Sequence, residues 1–303
     1  MSVCIIKYMK NIVLYCKSYQ RDVLRAKRLV DSIEKFNSDG LQFYISVPQA
    51  DRQLFLNNIG SGRCEWLSDE EIIHANPHVQ VERMYSIPGY ISQQIVKSEF
   101  WRLGISENYV CLDSDAIFIK NFGEKEFISQ DGVPYTVCHQ SKELLQMAEN
   151  RKRHKIVEGY LSECEKAKAI YNRVGPNYDF GPPPMIWSSK VWKDLSDKYL
   201  APKGMTLFDA VESFPAEIRW YGEALLNYES IPLYPIEPLF RFYHYDWQYF
   251  ALKKQGESIE KLREQYLGVV LQSNWEYELD YGSHQKSVLS RVARSLRRQL
   301  KRF

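Results

Sequence analysis

The sequence lacks the features of a disulfide-rich, zinc-binding or membrane-spanning protein. Its six cysteines include no C-x-x-C pair and no Cys/His spacing typical of zinc sites, so we expect free thiols in a reducing cytosol. No apolar run approaches the roughly 20 residues that a membrane-spanning helix needs. The N-terminal segment has only a short apolar stretch and no small-residue cleavage site, which argues against a signal peptide. The sequence therefore predicts a cytoplasmic protein.

Internal repeats and low-complexity linkers are also missing, and 45% apolar with 26% charged residues is an ordinary globular composition. We therefore expect one domain at 1–280. The net charge of +2 is unevenly placed, because the segment 281–303 has seven Lys and Arg residues and no acidic residue. A mildly acidic body with one basic tail argues against a nucleic-acid partner, which would need a basic surface spread over the fold.

Short apolar runs alternate with longer amphipathic segments in the first half of the chain. Strands are predicted at 12–16, 41–47, 64–67 and 109–113, and helices at 21–36, 51–59 and 91–103. Further strands are predicted at 133–139, 184–188 and 268–273, and helices within 141–172 and at 204–213 and 216–228. This alternation predicts an α/β fold, Rossmann-like, with a mostly parallel central sheet flanked by helices. Ligands of such sheets collect at the carboxyl ends of the strands.

Two carboxylates one residue apart, Asp113 and Asp115, follow the strand at 109–113. Two like charges this close repel each other unless a cation lies between them. Carboxylate oxygens favour Mg²⁺ or Mn²⁺, which could also bind a diphosphate. The alternative is a solvated structural turn, but unpaired carboxylates beside a buried strand are costly. The pattern favours a metal site.

The segment GYISQQIVKSEFWRLGISENYVCLDSDAIFI (89–119) resembles the nucleotide-sugar-dependent glycosyltransferases of the GT-A fold. It is similar in particular to bacterial enzymes of surface polysaccharide and lipopolysaccharide assembly, and the resemblance covers about residues 11–275. It implies a hexosyltransferase-like enzyme that moves a sugar from a nucleoside diphosphate to a hydroxyl of a growing cell-surface glycan, such as lipopolysaccharide, O-antigen or capsule. It also implies that Asp113 contacts the ribose and the Mn²⁺ or Mg²⁺, and that Asp115 binds the metal.

Other blocks supply candidate residues for binding the nucleotide sugar. Tyr19 could stack on the base and Asp22 could accept its hydrogen bonds, although Asp22 could instead cap the following helix. Gln93, Gln94 and Lys97 resemble the Q-Q-x-x-K block of the family and could reach the sugar or its phosphates. Gln93 and Lys97 are one helical turn apart and share a face, with simple solvent exposure as the alternative.

Candidates also come from the second half of the chain. In the family's E-x-x-x-Y-G block, Glu217 is the first choice for a catalytic base near the acceptor hydroxyl and Glu223 the second. The two are six residues apart, so at most one should enter the cleft. Either could be an ordinary exposed glutamate. His244 is a candidate third metal ligand, with Asp246 as the alternative, although a lone histidine among aromatic residues is more often part of a core.

Two further segments are candidates for contacts with sugars. The block QSNW follows the strand at 268–273 and offers Gln272, Ser273 and Asn274 to sugar hydroxyls. The segment at 177–192 contains a glycine followed by three prolines before a strand. It could form a rigid wall for the donor or acceptor sugar, or be simple turn chemistry.

The last segment, 281–303, has the pattern of a basic amphipathic helix. One stripe carries the apolar side chains of Val288, Leu289, Val292, Leu296, Leu300 and Phe303. All seven cations fall outside this stripe when the segment is plotted at 100° per residue. The pattern predicts reversible binding to the inner face of the cytoplasmic membrane, where the acceptor could be lipid-linked. The alternatives are nucleic-acid binding and docking against the protein body.

Two other function classes remain open from the sequence alone. Phosphohydrolases also place a D-x-D after a strand, but usually near the N-terminus and followed by Gly or Thr, which DSDAI (113–117) lacks. A non-catalytic member that binds the membrane and recruits assembly partners is the second alternative. The donor base and sugar, the linkage and the stereochemical outcome are not encoded in any motif.

Overall fold

The computed structural model describes residues 10–276 together with residues 279 and 281. The predicted basic helix at 281–303 lies, except for Tyr281, outside the described residues. The domain boundary at residue 280 therefore stays a prediction.

Strands and helices alternate through the first half of the described chain. The strands are β1 (Lys10–Lys17), β2 (Phe43–Val47), β3 (Glu65–Ser68), β4 (Ser106–Asp113), β5 (Ala116–Phe118), β6 (Thr136–Val137), β7 (Met185–Ser188), β8 (Pro235–Ile236), β9 (Phe240–Tyr243) and β10 (Gly268–Leu271). The first helices are α1 (Val23–Phe36), α2 (Arg52–Ile59), α3 (Asp69–His74), α4 (Val81–Ser86), α5 (Gly89–Glu99) and α6 (Lys142–Asn150). The others are α7 (His154–Ile170), α8 (Ser189–Asp194), α9 (Leu207–Ser213), α10 (Glu217–Tyr228), α11 (Asp246–Lys254) and α12 (Ile259–Gln265).

The central sheet has five strands in the order β3-β2-β1-β4-β7. The first four are parallel to one another, and only β7 runs antiparallel, against β4. Side chains of β1 alternate between two buried clusters, with Val13 and Tyr15 on one face and Ile12, Leu14 and Cys16 on the other. Helices cover both faces. The α/β class and the mostly parallel sheet predicted from the sequence are confirmed.

A smaller sheet joins the end of the described chain to the middle of the sequence. Its order is β5-β10-β9, with β10 antiparallel to β5 and parallel to β9. Because β5 begins immediately after the D-x-D segment, the end of β10 returns to that segment. A third sheet pairs β6 with β8.

Element boundaries differ from the sequence predictions mainly where elements are short. Only Thr136–Val137 of the strand predicted at 133–139 is a strand, and the aromatic run at 240–250 divides into β9 and α11. The sequence analysis predicted no helix at α3, α4, α8 or α12, which have six or seven residues each and so span fewer than two helical turns. Gly104, with φ of +61°, ends the helical segment that follows α5, which agrees with the end of the helix predicted at 91–103.

The longest of the described helices is α7, with 17 residues. Within residues 10–276, no helix is both long enough and apolar enough to cross a bilayer.

Candidate functional site

The carboxyl ends of β1 and β4 lie side by side in the central sheet. Lys17, the last residue of β1, is paired in the parallel ladder with Asp113, the last residue of β4. Tyr19 and Asp22 follow β1, and Asp115 follows β4. The predicted nucleotide-binding and metal-binding segments therefore leave the sheet at the same edge.

The second aspartate of the D-x-D segment is held by residues that follow β10. The backbone N–H of Ser273 donates to Oδ2 of Asp115 over 2.8 Å, and the backbone N–H of Leu271 donates to the Asp115 carbonyl over 3.2 Å. Asp115 is buried, with 7% of its surface exposed. These contacts bring the predicted QSNW block to the D-x-D segment.

Together these segments enclose a pocket of about 180 Å³, which we call the D-x-D pocket. Its lining consists of Lys17, Tyr19, Asp22, Gln93, Lys97, Asp113, Ser114, Asp115, Gln272, Ser273 and Asn274. All except Lys17 and Ser114 are residues for which the sequence predicted a role in donor or metal binding. The predictions for these residues converge on one place, although they come from four separated segments.

A buried lysine neutralises the first aspartate of the motif. Lys97 is 5% exposed and forms an ion pair with Asp113, so the alternative of simple solvent exposure is wrong for Lys97. Burial lowers the pKa of Lys97, but the charge of Asp113, followed by the smaller effects of Cys111 and Glu217, outweighs it, and the net pKa is raised. The Lys97 ammonium is therefore charged and holds Asp113 in place.

One carboxylate oxygen of Asp115 has no hydrogen-bond partner among the residues that the structure describes. Burial, followed by the charge of Asp113, raises the pKa of Asp115 to about 7. Among the described residues, neither Oδ1 of Asp115 nor Oε1 of Gln272 has a hydrogen-bond donor. Two unpartnered oxygens beside one pocket are a costly arrangement unless a cation or a ligand donor approaches them.

The arrangement of carboxylates fits a cation shared with a ligand better than a cation enclosed by protein. Asp22, Asp113 and Asp115 all line the D-x-D pocket. Within residues 10–276, however, no group of three or more His, Cys, Asp and Glu side chains is placed to hold a metal ion by itself. Mg²⁺ is commonly bound by one or two carboxylates together with substrate phosphates and water. The oxygens present suit that mode of binding.

Asp22 stands at the position where the sequence left two roles open. It is the N-cap residue of α1, but its side chain makes no capping hydrogen bond to the helix. Its carboxylate instead accepts a hydrogen bond of 2.9 Å from Arg25, whose side chain is fully buried. This ion pair holds the Asp22 carboxylate at the wall of the D-x-D pocket.

A second, more apolar cavity of about 410 Å³ adjoins the D-x-D pocket. The two share Lys17, Tyr19 and Gln93 in their linings. The larger cavity, which we call the aromatic pocket, also contains Tyr85 and Tyr90, which are 64% and 59% exposed. Exposed rings beside a charged pocket suit a ligand that joins a flat ring to a charged group.

Gln94 and Glu217 lie behind the D-x-D pocket and do not line it. The Gln94 side chain accepts a hydrogen bond of 3.3 Å from the backbone N–H of Glu217 at the start of α10. Glu217 is buried; burial raises its pKa, the charge of Lys97 lowers it, and the charge of Asp113 raises it. Glu217 is therefore close enough to Lys97 and Asp113 for their charges to affect it, but its placement does not support direct contact with an acceptor hydroxyl.

The remainder of the E-x-x-x-Y-G block packs α10 against its neighbours. The Tyr221 hydroxyl accepts a hydrogen bond of 2.8 Å from the backbone N–H of Ser188. A Cβ atom at Gly222 would lie 2.0 Å from the ring of Phe180. Glycine at this position is therefore explained by close packing.

Glu223 forms a buried ion pair with Arg173, outside the D-x-D pocket. Its two carboxylate oxygens accept hydrogen bonds of 2.5 and 2.8 Å from Arg173, and the residue is 2% exposed. It does not line the D-x-D pocket. This placement gives Glu223 a structural role and does not support the prediction that it is a catalytic base.

His244 lies in a third cavity, of about 600 Å³, which we call the His244 cavity. Neither aspartate of the D-x-D segment lines this cavity, so the structure does not bring His244 to them as a third metal ligand. Burial lowers the pKa of His244 to about 4, and the groups that act on it most are Asp179, His139, Glu143 and Arg241. Asp246, the alternative ligand, is the first residue of α11 and lines neither cavity.

Lys17 and Ser114 are the pocket residues that sequence reasoning missed. The Lys17 ammonium lies 3.2 Å from the buried Asp69 carboxylate and 2.9 Å from the Ser18 carbonyl. The available signal was positional, because Lys17 ends β1 and Ser114 separates the two aspartates of the motif. Asp69 and Arg25 gave no comparable signal.

Comparison with known proteins gives a family but no function. No curated protein matches the chain. A model of a family of unknown function matches residues 9–254, which include β1, the D-x-D segment and His244. The chain therefore belongs to the family of unknown function DUF6492.

Proposed function

We propose that the protein is a metal-dependent glycosyltransferase of the GT-A type. In this proposal it moves a sugar from a nucleoside-diphosphate sugar to a hydroxyl of a growing cell-surface glycan. The observation that carries the proposal is the convergence of the D-x-D segment, Lys97, Tyr19 and the QSNW block on one pocket at the carboxyl edge of a parallel sheet. The resemblance of these same blocks to GT-A enzymes supports it.

The size and chemistry of the two adjoining cavities support a nucleotide as the ligand. The aromatic pocket offers rings on which a base could stack, and Tyr19 belongs to both linings. The diphosphate would then lie in the D-x-D pocket, next to Lys17 and Lys97. Sugar hydroxyls would be within reach of the Ser273 and Asn274 side chains.

The charge balance of the D-x-D pocket supports a requirement for a divalent cation. Its lining carries three carboxylates and two ammonium groups, and both ammonium groups are already paired, Lys97 with Asp113 and Lys17 with Asp69. A diphosphate brought into this setting alone would face net repulsion. Asp113 and Asp115 would hold Mn²⁺ or Mg²⁺, whose Lewis acidity stabilises the charge that develops on a leaving diphosphate.

The residues of the chain then have distinct roles in transfer. The acceptor oxygen forms a bond to the anomeric carbon as the bond from that carbon to the diphosphate breaks. The diphosphate leaves with the bonding electrons, and the hydroxyl proton passes to a base or to water. Lys97 holds Asp113 and Ser273 holds Asp115, so both carboxylates are positioned before the donor binds.

The basic segment at 281–303 extends the proposal to the membrane. Its predicted amphipathic pattern would hold the enzyme peripherally on the cytoplasmic face of the membrane, where a lipid-linked acceptor would be presented. This part of the proposal depends on the sequence pattern alone.

A thermal-shift screen tests the proposed function directly. UDP-, GDP-, CDP- and TDP-sugars are each added to the full-length protein with Mn²⁺ and with EDTA. A ligand that binds only the folded protein raises the melting temperature, and the rise increases with the logarithm of the ligand concentration divided by Kd. We expect at least one nucleotide sugar to stabilise the protein in Mn²⁺ and far less in EDTA. Absence of stabilisation by all four in Mn²⁺ would falsify the proposal, and release of phosphate from simple phosphoesters would favour a phosphohydrolase.

A further inference from the structure

The His244 cavity, at about 600 Å³, is larger than the D-x-D pocket and the aromatic pocket, and the proposed donor does not use it. Its walls come from β9, the segment that precedes α6, and the proline-rich segment before β7. This volume is in the range of cavities that enclose small organic ligands. It has room for a ligand separate from the nucleotide.

The His244 cavity and the D-x-D pocket have no lining residue in common, but the smaller sheet connects them. Leu271 of β10 donates its N–H to the Asp115 carbonyl, and Leu271 is paired in register with Tyr243 of β9. His244 follows Tyr243 directly. Since neighbouring strands are about 4.8 Å apart, the backbone at His244 lies about 10 Å from that at Asp115. A ligand in this cavity would therefore be close to a sugar held at the D-x-D pocket.

The lining combines ring faces with uncharged polar groups. Tyr178, Phe242 and Tyr266 contribute rings, and Gln140 and Ser141 contribute hydrogen-bonding groups. Pyranose rings present a C–H face that packs on aromatic rings and hydroxyls that exchange hydrogen bonds with amides. This is the combination that the cavity offers.

Charges in the lining cancel, which favours an uncharged ligand over an anion. Lys142 and Arg241 oppose Glu143 and Glu237. Arg241 is also held by Glu143, with hydrogen bonds of 2.5 and 2.9 Å, and by Glu257 over 2.8 Å. Its guanidinium is thus already neutralised, and a free phosphate or carboxylate would meet little unpaired positive charge.

His244 adds hydrogen-bonding groups to the cavity without adding charge. Because its pKa lies near 4, the His244 imidazole is neutral at neutral pH and can both donate to and accept from a hydroxyl. The backbone N–H of Ser141 donates to Nδ1 of His139 over 3.2 Å, and Nε2 of His139 lies 2.6 Å from the Gly181 carbonyl. Both ring nitrogens of His139 therefore have partners within the protein, and the ring forms part of the cavity wall.

We propose that the His244 cavity binds the acceptor, through a pyranose ring of the glycan packed against its aromatic wall. The identification of the bound sugar as an acceptor rests on the proposed glycosyltransferase function. Carbohydrate binding by the cavity can be measured independently of that function. It assigns His244 to the acceptor side of the site instead of to the metal. It also gives the proline-rich segment, through Tyr178 and Pro182, the role of a wall.

The test is a cavity-blocking substitution, Gln140→Trp, in the full-length protein. Gln140 is exposed and lines the cavity, so an indole here fills space without disturbing the core. The matched control is Gln53→Trp, which places the same ring at an exposed position of α2. The probes are the methyl glycosides of glucose, galactose, mannose and N-acetylglucosamine, and their binding is measured by saturation-transfer NMR.

We expect at least one glycoside to receive saturation from the wild type and from Gln53→Trp, and at least fivefold less from Gln140→Trp. All three proteins should be stabilised equally, in Mn²⁺, by the nucleotide sugar that raises the melting temperature of the wild type in the thermal-shift screen. Suppose that this stabilisation is present. If Gln140→Trp then binds every glycoside like the wild type, or if no glycoside binds any of the three proteins, the proposed acceptor cavity is refuted while the glycosyltransferase proposal stands. If none of the four nucleotide sugars binds but Gln140→Trp still prevents the binding of a glycoside, the glycosyltransferase proposal fails and the carbohydrate site stands.

Discussion

Ser273 donates its backbone N–H to Oδ2 of Asp115 over 2.8 Å, although the two residues are 158 positions apart in the sequence. The contact fixes the orientation of the second aspartate of the D-x-D segment. The other oxygen, Oδ1, is left without a hydrogen-bond donor among the described residues. The end of the small sheet thus prepares one carboxylate oxygen for a cation or a ligand before either binds.

Asp115→Asn tests whether that charge is needed for function. The amide keeps an oxygen that can accept the Ser273 N–H, so we expect the fold to be retained. Loss of a cation ligand should remove several kcal/mol of transition-state stabilisation, a loss of transfer of about 100-fold or more. Sugar transfer and the Mn²⁺-dependent shift in melting temperature are the measurements.

Asp197→Asn is the matched control, because Asp197 is exposed and does not line the D-x-D pocket. Its transfer rate should equal that of the wild type. Wild-type transfer by Asp115→Asn would contradict the role assigned to Asp115.

Lys97→Met tests the buried ion pair that holds Asp113. Removing one partner of a fully buried pair costs about 3–5 kcal/mol in the free energy of unfolding. Because the Asp113 side chain is 33% exposed, solvent screens part of this cost, and we expect a loss of about 2–4 kcal/mol. The control is Lys193→Met, because Lys193 pairs with Asp197 on an exposed surface and should contribute less than about 0.5 kcal/mol. Urea denaturation of both variants measures the difference. Equal losses would show that Lys97 contributes no more than a surface ion pair.

The sequence predicted the sheet and most of the pocket because both follow from local patterns. Apolar runs located β1, β2, β3 and β4, and the resemblance of separate blocks identified Tyr19, Gln93, Lys97 and the two aspartates. The role of Glu223 could not be predicted, because its partner Arg173 is 50 residues away and no periodicity links them. The placement of His244 away from the D-x-D pocket could not be predicted for a similar reason. Only the register of β9 against β10 determines which cavity it enters.

Gly222→Ala tests the packing of α10 against the proline-rich segment. An added Cβ would lie 2.0 Å from the Phe180 ring, which is buried, so we expect a loss of about 1–3 kcal/mol in the free energy of unfolding. Gly159→Ala is the control, because Gly159 is also helical but has open space around its Cβ position. That substitution should stabilise the protein by up to about 1 kcal/mol. Denaturant titration should therefore give opposite signs for the two glycines.

The pH dependence of stability tests the environment of Asp115 without any ligand. Its folded pKa of about 7 lies above the ordinary value of 3.8, so the folded state holds the proton more tightly than the unfolded chain between these values. The stability that this carboxyl contributes is present in full below about pH 4 and is lost as the pH rises through 7.

Asp115→Asn removes this titrating carboxyl, so the variant and the wild type are compared in EDTA, where no metal ion is bound. The free energy of unfolding of the variant minus that of the wild type should increase between pH 4 and 7, by on the order of 1 kcal/mol per pH unit. Chemical denaturation at several pH values measures it. A difference that stays constant over this range would mean that the carboxyl keeps its ordinary pKa in the folded protein.

Membrane binding by the segment 281–303 is tested with a triple substitution of Arg294, Arg297 and Arg298 to Gln. Each cation near an anionic surface is worth about 1 kcal/mol, so losing three should weaken binding to phosphatidylglycerol vesicles by about 100-fold. Vesicle co-sedimentation measures this, with phosphatidylcholine vesicles as the uncharged comparison. The matched control replaces three exposed cations between α6 and α7, Arg151, Lys152 and Arg153, with Gln. Since only the tail combines its cations with an apolar stripe, the control should bind like the wild type. Equal weakening in both variants would instead attribute the attraction to the charge of the whole protein.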